Sequence, residues 1–276
     1  MTELKDKPIG IFDSGLGGLT CVAEVRRLMP NENIVYFGDT ARIPYGTRSR
    51  ETVLEYAKQD VAFIKKHDVK MIIAACGTVS STVGSIPDFA GSVPFTGVVI
   101  PAAQAACAVT QNNKIGVIGT GTTIRSAAYC KAIRGIRGDM KVIGNSCNLF
   151  VSLVENGLTS DDEVVRIITE RYLTDIKREG VDTLILGCTH FPIIADAISE
   201  FMGDNVKLIS SGAEAAKYAM NYLAGKGLCS DRKEEGTVVY YTSDSAAMFE
   251  EGANAFLGGE LHGEVIKIGI DELTDQ

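Results

Sequence analysis

Residues 71–80 read MIIAACGTVS and residues 183–192 read TLILGCTHFP, so an unbroken apolar run stops on a cysteine twice. A strand covered on both faces of a parallel sheet has this composition, and the ligand crevice of an open α/β sheet lies outside the carboxyl ends of such strands. Cys76 and Cys188 are therefore expected at that edge. Gly77, Thr78, Ser80 and Ser81 follow the first, and Thr189 and His190 the second, before each pattern turns helical, which predicts backbone amides facing the crevice. Taken singly, each cysteine also fits a small core residue, since free cysteine is among the most buried types.

Outward from these strands the pattern repeats. PIGIFDSG (8–15) reads as a strand, a turn through Gly15–Gly18 and a helix over 19–28, and KIGVIGTG (114–121) echoes it. The offset from Ile9 to Ile115 nearly equals that from Cys76 to Cys188, which suggests an internal duplication. The GxGxxG spacing of a dinucleotide site is absent from the first glycine turn. Asp13 there has helix capping as its plainest role. In the second half Thr120, Thr122 and Thr123 take the place of the Asp-Ser turn.

Between these landmarks, NIVYFG (33–38) predicts a strand, and DTARIPYGTRS (39–49) a loop at the binding edge. Val53, Leu54, Ala57, Val61 and Ile64 mark the buried face of a helix over 50–67. Lys58, Asp60, Lys65 and Lys66 fall on its solvated face, and His67 reads as a last-turn residue meeting carbonyls. FTGVVI (95–100) predicts a strand, followed by a helix over 102–110. SCNLFVSLVENG (146–157) predicts a short helix with Glu155 near its end. Ser160 and Glu163 suggest a capping box for a helix over 161–179. Helices over 192–202, 213–224 and 246–256 alternate with strands over 206–209, 237–242 and 264–269. Residues 226–235 read as loop, and His262 as surface.

The 276 residues, 45% hydrophobic with 29 glycines, allow one large or two smaller α/β units. A formal charge of −8 argues against nucleic acid and anionic membrane as partners, because both need a basic footprint. No stretch reaches the length of a membrane span, and MTELKDKPIG lacks an apolar signal core, so a cytoplasmic protein is expected. Seven cysteines, nowhere spaced as CxxC, predict free thiols with no disulfide framework and no metal site.

Two thiols at the mouths of two related sheets suit inversion at a carbon acid, which needs an acid and a base on opposite faces. A thiol of ordinary pKa is only about three per cent thiolate at pH 7, so the site must supply help. Asp13 beside Cys76, His190 beside Cys188, and Glu155 are the candidates.

FDSGLGG (12–18), PYG (44–46), ACGT (75–78), GTGTTIRS (119–126), LVENG (153–157) and LGCTHFP (186–192) together resemble the signature blocks of the glutamate racemases, in family order from residue 8 to about 225. The resemblance implies two similar open α/β domains with mainly parallel sheets, related by a pseudo-twofold axis, with the active site between them. Residues 1–97 plus 210–276 would form the domain carrying Cys76, and 98–209 the domain carrying Cys188. It also implies cofactor-independent interconversion of L- and D-glutamate in the cytoplasm, supplying peptidoglycan synthesis, by a homodimer. Cys76 would act on D-glutamate and Cys188 on L-glutamate, assisted by Asp13, Glu155 and His190. Substrate contacts would come from Asp13, Ser14, Pro44, Tyr45, Gly46, Gly77, Thr78, Thr120, Thr122, Thr123, Thr189 and His190.

One position departs. The family block around the first cysteine usually reads Cys-Asn-Thr, and here Gly77 replaces the asparagine. Losing a hydrogen bond to a charged group costs about 1.5–3 kcal/mol, roughly tenfold to a hundredfold in affinity or rate. Ser80 or a water is the expected substitute. Asn148 and Ser152 also replace prolines common in the family. A racemase of aspartate or another small amino acid, a non-catalytic amino-acid-binding relative and a thiol redox protein are the alternative readings.

Overall fold

β1 (Ile9–Asp13) buries all five of its residues, as does β2 (Ile34–Gly38), which follows α1 (Leu19–Leu28). Runs of Ile, Val, Phe and Tyr without polar alternation leave no wet face, so these strands pair in parallel beneath helices on both sides. The structure, a computed structural model, describes residues 3–84 and 86–274. The chain alternates through α2 (Arg50–Lys65), β3 (Met71–Ala74), α3 (Gly77–Val83), β4 (Phe95–Gly97) and α4 (Val99–Val109). It then starts a second series with β5 (Lys114–Gly119), α5 (Gly121–Arg125), α6 (Ala128–Ile136), β6 (Lys141–Ser146), α7 (Asn148–Glu155) and α8 (Glu163–Arg178). β7 (Thr183–Leu186), α9 (Ala195–Met202), β8 (Lys207–Ser210) and α10 (Ser211–Gly225) complete that series. β9 (Val238–Thr242), α11 (Ala246–Leu257), β10 (Glu264–Lys267) and α12 (Asp271–Thr274) follow.

The described residues form two sheets, one of six strands in the order β10-β9-β2-β1-β3-β4 and one of four in the order β6-β5-β7-β8. Every pairing is parallel. The run β2-β1-β3-β4 has the same order as β6-β5-β7-β8, so the repeat legible in PIG and KIG extends to four strands of each sheet. Its glycines do the same work in both. A Cβ at Gly10 would stand 2.4 Å from Ile64 of α2, and one at Gly116 would stand 3.0 Å from Ile176 of α8. In each sheet a helix seats directly on the central strand. α10 leaves β8 of the smaller sheet, then packs on α1 and α4 and so joins the two halves.

Several local expectations are corrected. β4 stops at Gly97 and α4 begins at Val99, because Pro101 sits in the first helical turn, where a missing N–H costs nothing. Asp162, and not Ser160, occupies the N-cap of α8; the Ser160 hydroxyl accepts from the Ala197 N–H at 3.2 Å. β6 and α6 had no strong signal: KVIGNS lies at a sheet edge, half-buried to exposed, and lacks the continuous apolar run of a covered strand. His67 packs on the rings of Phe63 and Tyr241 instead of meeting carbonyls.

The largest correction is Asp60. It lies fully buried on α2 and pairs with Arg42 at 3.2 Å. Arg42 also meets Asp39 at 2.5 Å, and the Tyr45 hydroxyl donates to both carboxylates. A polar side chain is held inside only when its partners replace water, and this network provides them. Among the described residues, no helix is long and apolar enough to cross a membrane.

Candidate active site

β3 and β7 each end two residues before their cysteines, and both thiols emerge on the wall of one cavity of about 360 Å³. Cys76 and Cys188 are 5% and 6% exposed, so each is nearly closed off from bulk water while still reaching the cavity. A larger cavity, about 530 Å³, lies beyond Glu155 and contains no thiol.

The two sulfurs have different neighbours. Cys188 Sγ lies 3.7 Å from His190 Nδ1, and His190 Nε2 lies 3.1 Å from Glu155 Oε1 at the end of α7. The ring is buried and stands edge-on to Phe256. Burial alone would lower its pKa, but the hydrogen bonds to Cys188 and Glu155 outweigh it and push the imidazole up to about 10. An imidazolium therefore sits against the Cys188 sulfur.

Cys76 Sγ lies 3.7 Å from Ser14 Oγ. Burial, and then the nearby Asp13 carboxylate, push this thiol up to about 12, opposed by the Val79 N–H and the Ser14 hydroxyl. Asp13 is fully buried beneath the cavity floor, where its Oδ2 accepts from the N–H groups of Gly15 at 3.2 Å and Gly18 at 3.0 Å. Burial holds its carboxyl above the usual range, against the field of His190.

The remaining wall comes from loops at the same sheet edges. Ser14, Pro44, Tyr45, Gly46, Gly77, Thr78, Thr120 and Thr189 all line the cavity. The Tyr45 phenol points back to Asp39 and Asp60, so this residue turns only its remaining surface to the cavity. A hydroxyl pair bridges the halves, with Thr78 meeting Thr120 at 3.0 Å, and Thr120 also meets Thr123 of its own half at 3.0 Å. Asp13, Thr122 and Thr123 are not on the cavity wall. The Thr122 hydroxyl donates to the Gly46 carbonyl at 2.8 Å, and Thr123 stands behind Thr120.

α7 adds wall residues the sequence reading did not assign to the site. Asn148, Val151 and Ser152 face the cavity together with Glu155. Their spacing is that of one helical face, and reading outward from Glu155 in steps of three and four would have found them. Asn148 Oδ1 also accepts from the Gly121 N–H at 2.8 Å. Ser80 does not replace the missing asparagine. Its hydroxyl donates to the Ala74 carbonyl at 2.9 Å and accepts from the Val98 N–H at 3.1 Å, on the side away from the cavity.

Residues 19–219 match the Asp/Glu/Hydantoin racemase family. A glutamate racemase of Geobacter metallireducens is 43% identical over 265 residues, 96% of this chain and 97% of that one. The crystal structure of a glutamate racemase from Francisella tularensis in complex with D-glutamate superposes with a TM-score of 0.89 at 35% identity, covering 97% of this chain and 99% of the other. A Bacillus anthracis glutamate racemase gives 0.91 at 37% identity, covering 96% and 98%. The chain belongs to the glutamate racemases, amino-acid-racemising isomerases of the Asp/Glu/Hydantoin racemase family.

Proposed function

We propose that the protein interconverts L- and D-glutamate by proton transfer between two opposed thiols, with no cofactor. The observation that carries this is the unlike pair of sulfurs on one small cavity: Cys188 against the His190 imidazolium, Cys76 kept a thiol by burial. Starting from L-glutamate, the Cys188 thiolate takes the α-proton and the bonding pair stays on Cα, delocalised into the substrate carboxylate. The Cys76 S–H then delivers its proton to the opposite face. Cys76 is left as the thiolate, facing the Val79 N–H and the Ser14 hydroxyl, which is the form that begins the reverse reaction from D-glutamate. An acid and a base already held on opposite sides supply the proximity that makes such a transfer fast.

Glu155 orients and charges His190, and Asp13 acts from beneath the floor on Cys76. The hydroxyls of Ser14, Thr78, Thr120 and Thr189 and the backbone of Pro44–Gly46 hold the amino acid, with Thr122 and Thr123 bracing that wall. Residues 1–97 plus 210–276 act as one domain and 98–209 as the other. In the cell we assign the protein to the cytoplasm as a homodimer supplying D-glutamate for peptidoglycan. Circular dichroism of L-glutamate and L-aspartate solutions tests the substrate: decay of the glutamate signal is expected, and faster decay with aspartate would overturn the choice.

A further inference from the structure

Gly77 follows Cys76 and Gly187 precedes Cys188, and these two glycines touch across the cavity floor. A Cβ at position 77 would lie 2.1 Å from the Gly187 carbonyl oxygen and 3.2 Å from its carbon. No side-chain carbon tolerates such a distance, and the neighbour is backbone that cannot swing aside. The Gly187 N–H is bound to the Ile118 carbonyl at 2.8 Å, and the Tyr129 ring stands 3.1 Å from where a Gly187 Cβ would be. β3 and β7, which lead into these glycines, are wholly buried. Neither strand end can retreat without disturbing a sheet.

Two other glycines at the same seam differ in kind. A Cβ at Gly46 would meet the side chain of Thr120 at 2.9 Å, and one at Gly17 the side chains of Thr189 and His190 at 2.3 and 2.7 Å. Those neighbours are side chains. Among these three, the Gly77 contact alone is limited by main chain, and each of its two glycines adjoins one of the thiol-bearing residues in the chain.

We propose that Gly77 is a positioning residue: its missing side chain lets the Cys76 strand end seat on the Gly187 carbonyl, and this backbone contact sets the gap across which the two thiols work on one carbon. The inference rests on the two-thiol reading above. It also gives the glycine another meaning than a lost hydrogen bond. An asparagine here must first force the halves apart, so restoring it does not restore a donor in place.

A wider gap has a specific signature. The first thiol still removes the α-proton, but the carbanion waits longer for the opposite thiol, so the S–H just formed exchanges with deuterium oxide and returns deuterium to the face the proton left. The experiment measures, in deuterium oxide, Cα deuterium in recovered L-glutamate and in newly formed D-glutamate. Parent, Gly77→Ala, Gly77→Asn and Gly187→Ala are compared, with Gly135→Ala on α6, where a Cβ meets nothing within 4 Å, as control. Gly77→Ala is expected to lose about a hundredfold in inversion, the scale of an ångström of misplacement, while deuterium uptake with retention falls much less. Gly187→Ala, whose Cβ would press on the Ile118 carbonyl at 2.7 Å, displaces the same contact from the other half and is expected to shift the ratio the same way. Because the ratio comes only from molecules that turn over, partial unfolding does not imitate it. Loss of inversion in Gly77→Ala with the recovered L-glutamate still protiated, or parental inversion in Gly77→Asn, overturns the proposal. A parent that neither exchanges nor inverts overturns the two-thiol reading instead.

Discussion

His190 Nε2 stands 3.1 Å from Glu155 Oε1, and the same ring turns Nδ1 toward Cys188 Sγ at 3.7 Å. One imidazole thus joins a carboxylate whose side chain is 37% exposed to a sulfur that is closed off. Glu155→Gln keeps the shape and removes the charge. The His190 pKa is then expected to fall from about 10, and the alkaline limb of the pH–rate profile to move toward neutrality. Turnover at pH 8 should drop roughly tenfold to a hundredfold, the cost of one charge-assisted hydrogen bond. A profile that superposes on the parent's would show that Glu155 does not tune the histidine.

The same raised pKa makes stability depend on pH. The histidine titrates at about 10 folded and near 6.5 as a free side chain, so the folded state binds the proton more tightly. Its contribution is complete below pH 6.5 and is lost as pH rises through 10. The thiols of Cys76 and Cys21, both pushed up from 9.0 to about 12 by burial, act in the same direction from about pH 9 upward. Thermal melting between pH 6.5 and 10 should show a falling Tm. A level or rising Tm over that window contradicts the assignment.

Arg42 is the sole cation within hydrogen-bonding reach of two fully buried carboxylates, Asp39 and Asp60, among the described residues. Removing one member of a buried ion network leaves charge without a partner, at a cost of about 3–5 kcal/mol. Arg42→Met is therefore expected to lower the unfolding free energy measured by urea titration by that amount. Asp60→Asn should cost much less, because burial and the neighbouring Asp39 already hold the Asp60 carboxyl well above the usual range and favour its neutral form. Since both carboxylates accept from the Tyr45 hydroxyl, Arg42→Met should also raise KM through the Pro44–Gly46 loop. Equal destabilisation by the two variants would count against a network short of positive charge.

The covered strands were legible because burial on both faces removes every polar residue: IGIFD, MIIA and TLIL admit little other reading. The thiol-bearing edge followed from where those runs stop. β6 escaped notice because an edge strand keeps polar residues, and the repeat with β2 is visible only once the sheet order is known. Asp60 misled for a related reason. Helical periodicity placed it on the polar face of α2, and nothing in the sequence indicates that Arg42, from a loop eighteen residues earlier, arrives to cover it. Gly77 is the sharpest case. As a letter it is a missing side chain; only the position of the Gly187 carbonyl, from the other half of the chain, gives the absence a use.

Racemisation of L-glutamate in deuterium oxide, stopped early in the reaction and followed by mass spectrometry of the separated enantiomers, distinguishes two opposed thiols from one. A base that removes the proton and a different acid that returns one predict D-glutamate carrying deuterium at Cα while the remaining L-glutamate stays protiated. Cys76→Ser and Cys188→Ser should each abolish the inversion. Deuterium appearing equally in both enantiomers from the start, or inversion that survives either substitution, would mean that Cys76 and Cys188 do not work as an acid and base on opposite faces of one carbon.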